Sequence, residues 1–428
     1  QAAGPDRVVD LGRVALIPGQ INVHSHAFQR ALRGKTEYRE PSRGGDNFWT
    51  WRQGMYRLAN RVEPDKMETI AEAAYWEMLR AGITHVGEFH YVHHGRDGRP
   101  YADRNEMALR IAKVAQELGI RVTLLPVAYH TGDIGEPALA EQRRFLSPDV
   151  ESYLAQVQAL REAVKAMPLV QVGLAPHSIR AVPKEWMEAI AAFGKAEGLP
   201  VHIHVCEQRR EVEASRKAYG MPPVEALYEW GVLDESWTLI HGTHLSAREL
   251  EILEEVRPTI GACPTTERNL GDGILPARSL VERQVPIALG SDSHTMIDPF
   301  CEMRLVEYHE RLIREERNVL SAVDGQQRLK TADILWGMGT KSGARSLNTG
   351  GGELAAGAVA DFVAVDLEHP SLLGATGSTL LTDIVLSMSA AAVRDVFVAG
   401  RPLEADRYHG KEHEIIEEYR QLMQKYAQ

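Results

Sequence analysis

The sequence predicts an α/β protein, a (β/α)8 barrel of the TIM type with a second, smaller β domain built from the chain termini. Three observations support this fold class. Eight short apolar runs rich in β-forming residues recur along the chain, helical patterns lie between most of them, and the pattern changes after about residue 348. A chain of 428 residues is long enough for one large domain and a smaller one.

The eight runs have the length and composition of buried strands. They are roughly Val14–Val23, Ile83–Val92, Arg121–His130, Val170–Ser178, Leu199–Glu207, Trp237–Ser246, Pro258–Pro264 and Val285–His294. Two of the segments between them, Pro64–Gly82 and Asn105–Gly119, carry apolar residues at helical spacing and end in glycine, a common helix stop. Strands that alternate with helices predict a parallel sheet, and eight repeats predict a closed barrel. A doubly wound sheet is the alternative, but no glycine-rich fingerprint follows the first strand.

The domain boundaries follow from the change of pattern. We place the barrel at residues 14–348. From residue 349, short alternating strands and turn glycines replace the long helices, so residues 349–405 are assigned to the small β domain, with residues 1–13 as a further strand. An amphipathic stretch near the C-terminus predicts a helix within residues 406–428 that packs on the barrel.

Composition and charge argue against several classes of function. The formal net charge is -11, from 48 basic and 59 acidic residues, and the chain has no Lys/Arg run, so nucleic acid is not the expected partner. No segment approaches the ~18 consecutive apolar residues of a membrane span, and the first residues lack the pattern of a signal peptide. Three cysteines at no metal-like spacing fit a reducing compartment, so we expect a cytoplasmic protein.

Residues that bind metals or carry protons stand at nearly all the predicted strand ends. Catalytic groups of such barrels lie at these C-terminal ends. The ends read His24-Ser25-His26, Glu88-Phe89-His90-Tyr91, Tyr129-His130, Pro176-His177-Ser178-Ile179-Arg180, His202-Ile203-His204-Val205-Cys206-Glu207, His241-Gly242-Thr243-His244 and Ser291-Asp292-Ser293-His294. One histidine at such a position is usually structural, but burying a whole set without partners would cost a few kcal/mol for each group. The cluster therefore predicts a functional site.

The composition of this cluster indicates a metal site. Imidazole nitrogens with one carboxylate suit Zn2+, or another divalent transition metal, at an open catalytic site. His24 and His26 occupy positions i and i+2 of a strand and therefore face the same way. With Asp292 and one histidine of strand five they supply enough ligands, although strand periodicity cannot choose between His202 and His204. Such a metal lowers the pKa of a bound water molecule towards ~7.

The order of these motifs resembles the amidohydrolase superfamily. An HxH motif follows strand one, an HxxE motif follows strand five, a histidine follows strand six, and an SDxH motif follows strand eight. The resemblance runs from about Pro18 to Pro299. It implies a single divalent metal ion, with Zn2+ preferred and Fe2+ as the alternative. The metal ligands that it implies are His24, His26, His204 and Asp292. It also implies that Glu207 is a proton shuttle, that His241 lies beside the reacting water, and that Asp292 accepts a proton from that water.

Two details refine this resemblance. The HxxE spacing to Glu207 selects His204 as the ligand and leaves His202 as a packing residue deeper in the strand. Binuclear relatives need a lysine at the end of strand four for a bridging carbamate, whereas this chain has GLAPHSIR there, so a mononuclear deaminase is favoured. The roles of three further residues stay open at this point, namely His244, His294 and Arg209.

A narrower resemblance is to the deiminases of this superfamily that hydrolyse a formimino group in histidine degradation. It rests on VHSHAFQRALRG, FWTWRQGMY, GEFHYVHH, APHSIRAV, HIHVCEQ and LIHGTHLS, which cover most of the barrel. It implies hydrolysis of N-formimino-L-glutamate with release of ammonia. The substrate-binding residues that it implies are Gln29, Arg52, Tyr91, His177 and Arg180. Arginine binds carboxylates through paired charge-assisted hydrogen bonds, which fits a small anionic substrate with two carboxylates.

Other functions compete with this interpretation. Another mononuclear deaminase, acting on guanine, cytosine or S-adenosylhomocysteine, would share the metal motifs but would not require arginines for two carboxylates. A hydrolase of halogenated triazines or amides would differ only in its leaving group. A non-catalytic binding protein is disfavoured because every expected ligand is present. We also expect a homodimer, because dimers are common among similar enzymes.

Overall fold

The computed structural model describes residues 8–39, 45–321, 323–324, 327–328, 330–403 and 405–427 of the chain. The strands are β1 (Val14–Pro18), β2 (Gln20–Ser25), β3 (Ile83–His90), β4 (Arg121–Ala128), β5 (Val170–Val172), β6 (Ala175–Pro176), β7 (Val201–Val205), β8 (Trp237–His241), β9 (Thr259–Ala262), β10 (Ile287–Leu289), β11 (Val323–Asp324), β12 (Gln327–Arg328), β13 (Phe362–Asp366), β14 (Val393–Val398) and β15 (Arg401–Pro402). The α-helices are α1 (Phe48–Ala59), α2 (Pro64–Arg80), α3 (Glu106–Leu118), α4 (Val150–Ala163), α5 (Lys184–Glu197), α6 (Arg209–Tyr219), α7 (Pro223–Glu229), α8 (Ala247–Val256), α9 (Pro264–Leu270), α10 (Ala277–Glu282), α11 (Pro299–Arg314), α12 (Thr331–Gly339), α13 (Lys341–Ser346), α14 (Leu380–Leu386) and α15 (Ala405–Ala427). Short 3-10 segments lie at Ala27–Leu32, Ala140–Gln142, Pro370–Leu372 and Ala390–Ala392.

The central element is a closed barrel of parallel strands. β2, β3, β4 and β5 form one run of hydrogen-bonded neighbours, β6 also pairs with β4, and β7 to β10 form the other run. Residue pairs Leu174–Val201 and Ser25–Asp292 join the two runs at their seams. Since β5 and β6 are two halves of one interrupted strand, the barrel has eight strand positions. The predicted (β/α)8 barrel is confirmed.

Helix boundaries follow local sequence signals. α2 begins with Pro64 at its first position, where the missing N–H costs nothing, and α3 ends at Gly119, which adopts a left-handed φ of 83°. The inner faces of both helices are buried in one apolar core that continues into the barrel strands. Each large apolar side chain fully buried there stabilises the fold by about 1.5–3 kcal/mol.

The smaller domain is an antiparallel sheet in the order β1–β13–β14–β15. It therefore joins a strand from the N-terminal part of the chain to strands from the C-terminal part, which confirms the predicted second domain. Val363 of β13 and Val396 of β14 belong to the same apolar core as the barrel helices. The sheet is thus anchored to the barrel by apolar packing.

The predicted first barrel strand, Val14–Val23, is wrong in its N-terminal half. β1 pairs in antiparallel fashion with β13 in the small sheet, and only β2 enters the barrel. The change of sheet occurs at Gly19, where a Cβ atom would collide with the side chain of Thr84. The barrel therefore starts at Gln20, later than the predicted residue 14. Of the strand expected from residues 1–13, residues 1–7 lie outside the described ranges and residues 8–13 form no strand. The N-terminal strand of the small sheet is β1.

The last helix, α15, lies against α2. Its side chains Ile415 and Leu422 are buried, and the Tyr419 hydroxyl donates a hydrogen bond of 3.1 Å to the carbonyl oxygen of Arg30. Within the ranges described, the helices lack the length and apolar composition that crossing a bilayer requires.

Candidate active site and metal centre

Four side chains converge at the carboxyl end of the barrel. We call them the imidazole–carboxylate cluster; they are His24 of β2, His26 directly after β2, His204 of β7, and Asp292, which follows β10. The Nε2 atoms of His24 and His204 are 3.1 Å apart. Asp292 Oδ1 is 3.5 Å from His24 Nε2 and 3.3 Å from His26 Nε2. Two ligands at ~2.1 Å from a tetrahedral ion lie roughly 3.4 Å apart, which is close to these three separations. The possible ligand atoms of His24, His26 and Asp292 lie within 4.8 Å of one another, and so do those of His24, His204 and His241.

Backbone carbonyl groups orient two of the imidazole rings. His26 Nδ1 lies 2.8 Å from the carbonyl oxygen of Phe89, and His204 Nδ1 lies 3.0 Å from that of His177. Because a carbonyl oxygen only accepts, each Nδ1 donates, and each Nε2 lone pair points towards the shared centre. His24 Nδ1 is buried with no hydrogen-bond partner among the described residues. This donor set is typical of a site for a transition metal.

Burial favours the neutral form of these imidazoles. Loss of solvent lowers the pKa of His24 and of His204 well below the usual value, and the neighbouring imidazoles lower it further. Burial also lowers the pKa of His26, although the Asp292 carboxylate and the Phe89 carbonyl group oppose that effect. A metal binds the neutral imidazole, so the protonation state suits the geometry.

The backbone closes the barrel between the end of β2 and the segment that follows β10. The His26 N–H donates to the Asp292 carbonyl oxygen over 3.1 Å, and the Asp292 N–H donates to that of His24 over 2.9 Å. Asp292 adopts a φ of 48°, which is uncommon for a residue with a side chain. Gly290 allows this approach, because a Cβ atom there would lie 2.8 Å from both His24 Cβ and Cys263 Sγ.

Glu88 holds the turn at the end of β2, between His24 and His26. The Ser25 hydroxyl donates to its Oε2 over 2.5 Å, the Tyr75 hydroxyl to the same atom over 3.1 Å, and the Ala27 N–H to its Oε1 over 2.8 Å. Burial raises the pKa of Glu88 to about 7 despite these hydrogen bonds. His294 Nε2 is 3.0 Å from the Ser25 hydroxyl, so His294 supports this turn from behind the cluster.

Glu207 and His241 lie beside the imidazole–carboxylate cluster. His241 Nε2 is 3.6 Å from Glu207 Oε1 and 3.9 Å from Asp292 Oδ2. Burial raises the pKa of Glu207, an effect that His241 opposes and Asp292 reinforces. Burial would lower the pKa of His241, but Glu207, Glu267 and Asp292 outweigh it and raise the pKa to about 10. The pair therefore retains a proton near neutral pH.

A pocket opens above the cluster. Its lining contains all five residues predicted to bind substrate, which are Gln29, Arg52, Tyr91, His177 and Arg180. Glu207, His241 and Asp292 line it as well. The rest of the lining is apolar or aromatic and consists of Phe48, Trp51, Met55, Tyr56, Tyr129, Phe145 and Leu270, together with His26 and His204 of the cluster. The structure thus brings together the residues that the sequence assigned to substrate binding and catalysis.

Two guanidinium groups of this pocket have no carboxylate within 4.0 Å in the part of the chain that the structure describes. Arg180 is only 3% exposed, and its Nε has no hydrogen-bond partner among the described residues. The Arg52 guanidinium carbon lies 4.5 Å from the ring centre of Trp49 and 5.4 Å from that of Tyr56. A guanidinium group that is not held in an ion pair can pair with an anionic ligand, although Glu211 and Glu207 act on Arg180 from a longer distance and raise its pKa.

Hydrogen bonds fix the polar side chains around the pocket. Gln29 Nε2 donates to the Tyr91 hydroxyl over 2.8 Å, and Gln29 Oε1 is buried without a partner in the described ranges. Gln142 Nε2 donates to the hydroxyls of Tyr129 and Tyr56 over 2.6 and 3.0 Å. Gln29 therefore offers a free acceptor, whereas the two tyrosines of the far wall are tied together by Gln142.

Three residues with open or alternative roles lie away from this centre. His202 Nε2 is 3.0 Å from the carbonyl oxygen of Ser346, in agreement with the predicted packing role. His244 is half-buried and does not line the pocket, and Arg209 is the exposed first residue of α6. The structure therefore separates His204 from His202, a choice that strand periodicity had left open.

Sequence reasoning missed Glu267 and Gln142. Glu267 lies in α9, is 2% exposed, and has its Oε1 3.3 Å from His241 Nδ1. The end of strand seven carries no histidine or aspartate, so no strand-end motif pointed to a functional residue there. The available signal was a carboxylate shortly after that strand, comparable to Glu207 after strand five. Gln142 lies in a long connection, where no local pattern indicated a contact with the pocket tyrosines.

Comparison with known proteins gives matches along nearly the whole chain. A model described as the amidohydrolase family matches residues 15–403. A formimidoylglutamate deiminase of Pseudomonas aeruginosa is 40% identical over 410 residues, which are 96% of this chain and 89% of that protein. The crystal structure of an amidohydrolase from Brucella melitensis has a TM-score of 0.83 and 37% identity, covering 90% of this chain and 84% of that one. An adenosine deaminase from Xanthomonas campestris with bound zinc has a TM-score of 0.76 at 23% identity, covering 95% and 86% of the two chains, and shares the fold.

Proposed function

Because the chain belongs to the amidohydrolase family, we propose that it hydrolyses N-formimino-L-glutamate to N-formyl-L-glutamate and ammonia. One observation carries this substrate assignment. The pocket that contains the imidazole–carboxylate cluster also contains Arg52 and Arg180, two guanidinium groups without a carboxylate partner. N-formimino-L-glutamate has two carboxylates to pair with them and a formimino carbon to react.

In this proposal the imidazole–carboxylate cluster holds one divalent metal ion, Zn2+ in preference to Fe2+. Three imidazole nitrogens and one carboxylate oxygen form a ligand set that Zn2+ accepts, and the Xanthomonas campestris adenosine deaminase of the same fold carries zinc. When bound, such an ion polarises a water molecule and lowers its pKa, so that a nucleophile is available near neutral pH.

Asp292 has two oxygens in different surroundings. Oδ1 faces the Nε2 atoms of His24 and His26, whereas Oδ2 is 3.9 Å from His241 Nε2. Oδ2 is thus available to accept the proton that the attacking water loses. As water adds to the formimino carbon, its oxygen gains charge, and His241 Nε2 donates a hydrogen bond to that oxygen.

Glu207 completes the reaction by protonating the terminal nitrogen. Burial raises its pKa, which favours the protonated carboxyl group that donates this proton. Asp292 then passes the proton that it took from water to the same nitrogen, the terminal C–N bond breaks, the nitrogen leaves as ammonia, and the oxygen from water becomes the formyl oxygen. The remaining proton of that oxygen passes to the Glu207 carboxylate, which restores the acid.

Arg52 and Arg180 orient the glutamate part of the substrate. A guanidinium group can form two parallel hydrogen bonds to one carboxylate, which fixes both its direction and its distance. Gln29 Oε1 and the Tyr91 hydroxyl lie in the same pocket and would contact the polar groups between the carboxylates and the formimino carbon. Holding the substrate at both ends brings the reacting atoms into contact.

The direct test is an ammonia-release assay of the metal-replete protein with four substrates in parallel. N-formimino-L-glutamate should be turned over, whereas guanine, cytosine and S-adenosylhomocysteine should not, because these substrates do not present two carboxylates to the guanidinium groups. Turnover of one of the other three with none of the formimino acid would reject the substrate assignment and favour the alternative deaminase.

A further inference from the structure

The two ring nitrogens of His241 face different environments. Nε2 faces the pocket, at 3.6 Å from Glu207 Oε1 and 3.9 Å from Asp292 Oδ2. Nδ1 faces away from it, at 3.3 Å from Glu267 Oε1. Which nitrogen meets the substrate therefore depends on how the ring is held from behind.

The backbone of His241 does not hold the ring in a relaxed strand conformation. Its φ of 78° lies in the left-handed region, which residues other than glycine rarely adopt. The residue ends β8, so the side chain leaves the regular alternation of the strand at this point. An imidazole that is 1% exposed and positioned in this way needs a second anchor to keep one orientation.

Glu267 is that anchor, and it is itself held firmly. It is 2% exposed, and its Oε1 also accepts a hydrogen bond of 2.8 Å from the Cys263 backbone N–H. The same oxygen therefore receives two hydrogen bonds, one from the helix start and one from the imidazole. Because the Cys263 N–H fixes the position of this oxygen, the place of His241 Nδ1 is fixed as well.

We propose that Glu267 is a positioning residue for the deimination proposed above, on which this inference rests. It accepts the Nδ1–H of His241 and thereby directs Nε2 towards Glu207, Asp292 and the reacting carbon. In serine hydrolases a buried carboxylate plays a comparable part for a catalytic histidine. No contact of Glu267 with the substrate is required, since Glu267 does not line the pocket.

Two substitutions separate the hydrogen bond from the negative charge. In Glu267→Gln the Cys263 N–H requires an oxygen at the Oε1 position, so the amide keeps its carbonyl towards His241 and retains the acceptor. In Glu267→Ala the acceptor is lost. We expect kcat to fall by less than about 10-fold in the glutamine variant and by about 100-fold or more in the alanine variant, with KM within about 3-fold in both.

Glu302 offers a matched control for the structural part of this effect. It is also 2% exposed and accepts the backbone N–H of Thr265 over 2.9 Å, so it supports the same first turn of α9 without touching His241. Glu302→Ala should lower the thermal midpoint about as much as Glu267→Ala while kcat changes by less than about 3-fold. If the kcat losses of the two alanine variants are equal, Glu267 only supports the helix and the proposal is wrong.

A readout that needs no substrate keeps this test apart from the substrate assignment. In protein labelled with 15N-histidine, the His241 signals, identified by their absence in His241→Asn, should show hydrogen on Nδ1 in the wild type and in Glu267→Gln. The pattern should change in Glu267→Ala. An unchanged pattern would overturn the proposal even if turnover falls.

Metal content supplies the last arm of the experiment. A competing role for Glu267 is metal binding, because one possible ligand atom from each of Cys263, Glu267 and His241 lies within 4.8 Å of the other two. We expect one metal ion per chain in the wild type and in both Glu267 variants. A second ion that disappears in Glu267→Ala would assign Glu267 to metal binding and contradict a positioning role. Failure of the wild type to turn over N-formimino-L-glutamate would reject the function alone, because the 15N readout would still test Glu267.

Discussion

The two sides of the pocket handle charge in opposite ways. On the acid–base side, formed by Glu207, His241 and Asp292, an imidazole faces two carboxyl groups, with His241 Nε2 3.6 Å from Glu207 and 3.9 Å from Asp292. On the arginine side, formed by Arg52 and Arg180, neither guanidinium has a carboxylate within 4.0 Å in the described ranges. Paired groups can exchange a proton within a preorganised site, whereas unpaired cations require the charge of a ligand. We therefore expect the first side to control turnover and the second to control binding.

Removing the metal should disable the acid–base side alone and is the largest effect that we expect. After dialysis against a chelator, ammonia release should fall by about 1000-fold or more, because no other group in the site activates water to the same extent. Substrate affinity, measured by calorimetry, should change by less than about 10-fold because the arginine side is intact. Adding Zn2+ should restore turnover. Full activity of protein shown to be metal-free would contradict the account.

Glu207→Gln should lower kcat by about 1000-fold, because the amide cannot deliver a proton to the leaving nitrogen. KM should stay within about 3-fold, and metal content should not change, since Glu207 is not among the four ligands. Steady-state ammonia release and metal analysis measure these quantities. Glu213→Gln, at an exposed position of the following helix α6, is the control. Activity of Glu207→Gln close to that of the wild type would remove Glu207 from the mechanism.

Arg180→Met should show the reverse pattern. Hydrogen bonds to a charged group contribute about 1.5–3 kcal/mol, so losing this guanidinium should raise KM by up to about 100-fold. We expect kcat to fall by less than about 5-fold. Arg52→Met should raise KM by only about 10-fold, because Arg52 is half-buried and more fully solvated than Arg180. A loss confined to kcat in either variant would show that the two sides are not separable in this way.

The smallest effect concerns Glu211, which lies between the two sides. It accepts the Glu207 backbone N–H over 3.3 Å, and burial raises its pKa to about 7, although the nearby Arg180 charge opposes this. The folded protein thus keeps a proton that the unfolded chain releases above about pH 4.5. The free energy of unfolding should therefore decrease as the pH rises from about 4.5 to about 7, by up to ~3 kcal/mol.

Glu211→Gln should remove that part of the pH dependence. Urea unfolding of the metal-free protein at about pH 5 and about pH 8 measures the difference. The variant should gain stability over the wild type at the higher pH, and Glu213→Gln should behave like the wild type. Equal pH dependence of Glu211→Gln and the wild type would show that Glu211 is ionised in the folded protein across this range.

The acid–base side could be predicted largely from the sequence. Barrel topology requires strand ends to meet at one edge, so His24, His26 and Asp292 could be expected together although they are far apart in the chain. The choice of His204 over His202 needed the motif spacing, because both share a face of β7. Glu267 could not be predicted, since its contact with His241 depends on how α9 packs behind β8, and the local sequence shows only a helix that starts at Pro264.

The arginine side was less accessible to sequence reasoning. Arg52 lies in α1, outside the barrel repeats, and reaches the pocket through packing on Trp49 and Tyr56. Only the narrower family resemblance pointed to it. The wrong assignment of Val14–Val23 has the same origin, because a continuous apolar run does not reveal that its two halves pair with different sheets. Local pattern indicates burial, and the partner is decided by tertiary packing.

The most direct test of the division between binding and turnover pairs substrate analogues with arginine variants. N-formimino-L-glutamine replaces the side-chain carboxylate by an amide, and N-formimino-4-aminobutyrate lacks the other carboxylate. For the wild type, each analogue should have a kcat/KM about 100-fold below that of N-formimino-L-glutamate. Each arginine variant should discriminate little against one of the two analogues, so that the kcat/KM of this analogue comes close to that of N-formimino-L-glutamate in that variant. The reason is that the variant lacks the guanidinium that would bind the carboxylate missing from the analogue. Equal penalties for both analogues in the wild type and in both variants would show that these arginines do not bind the carboxylates.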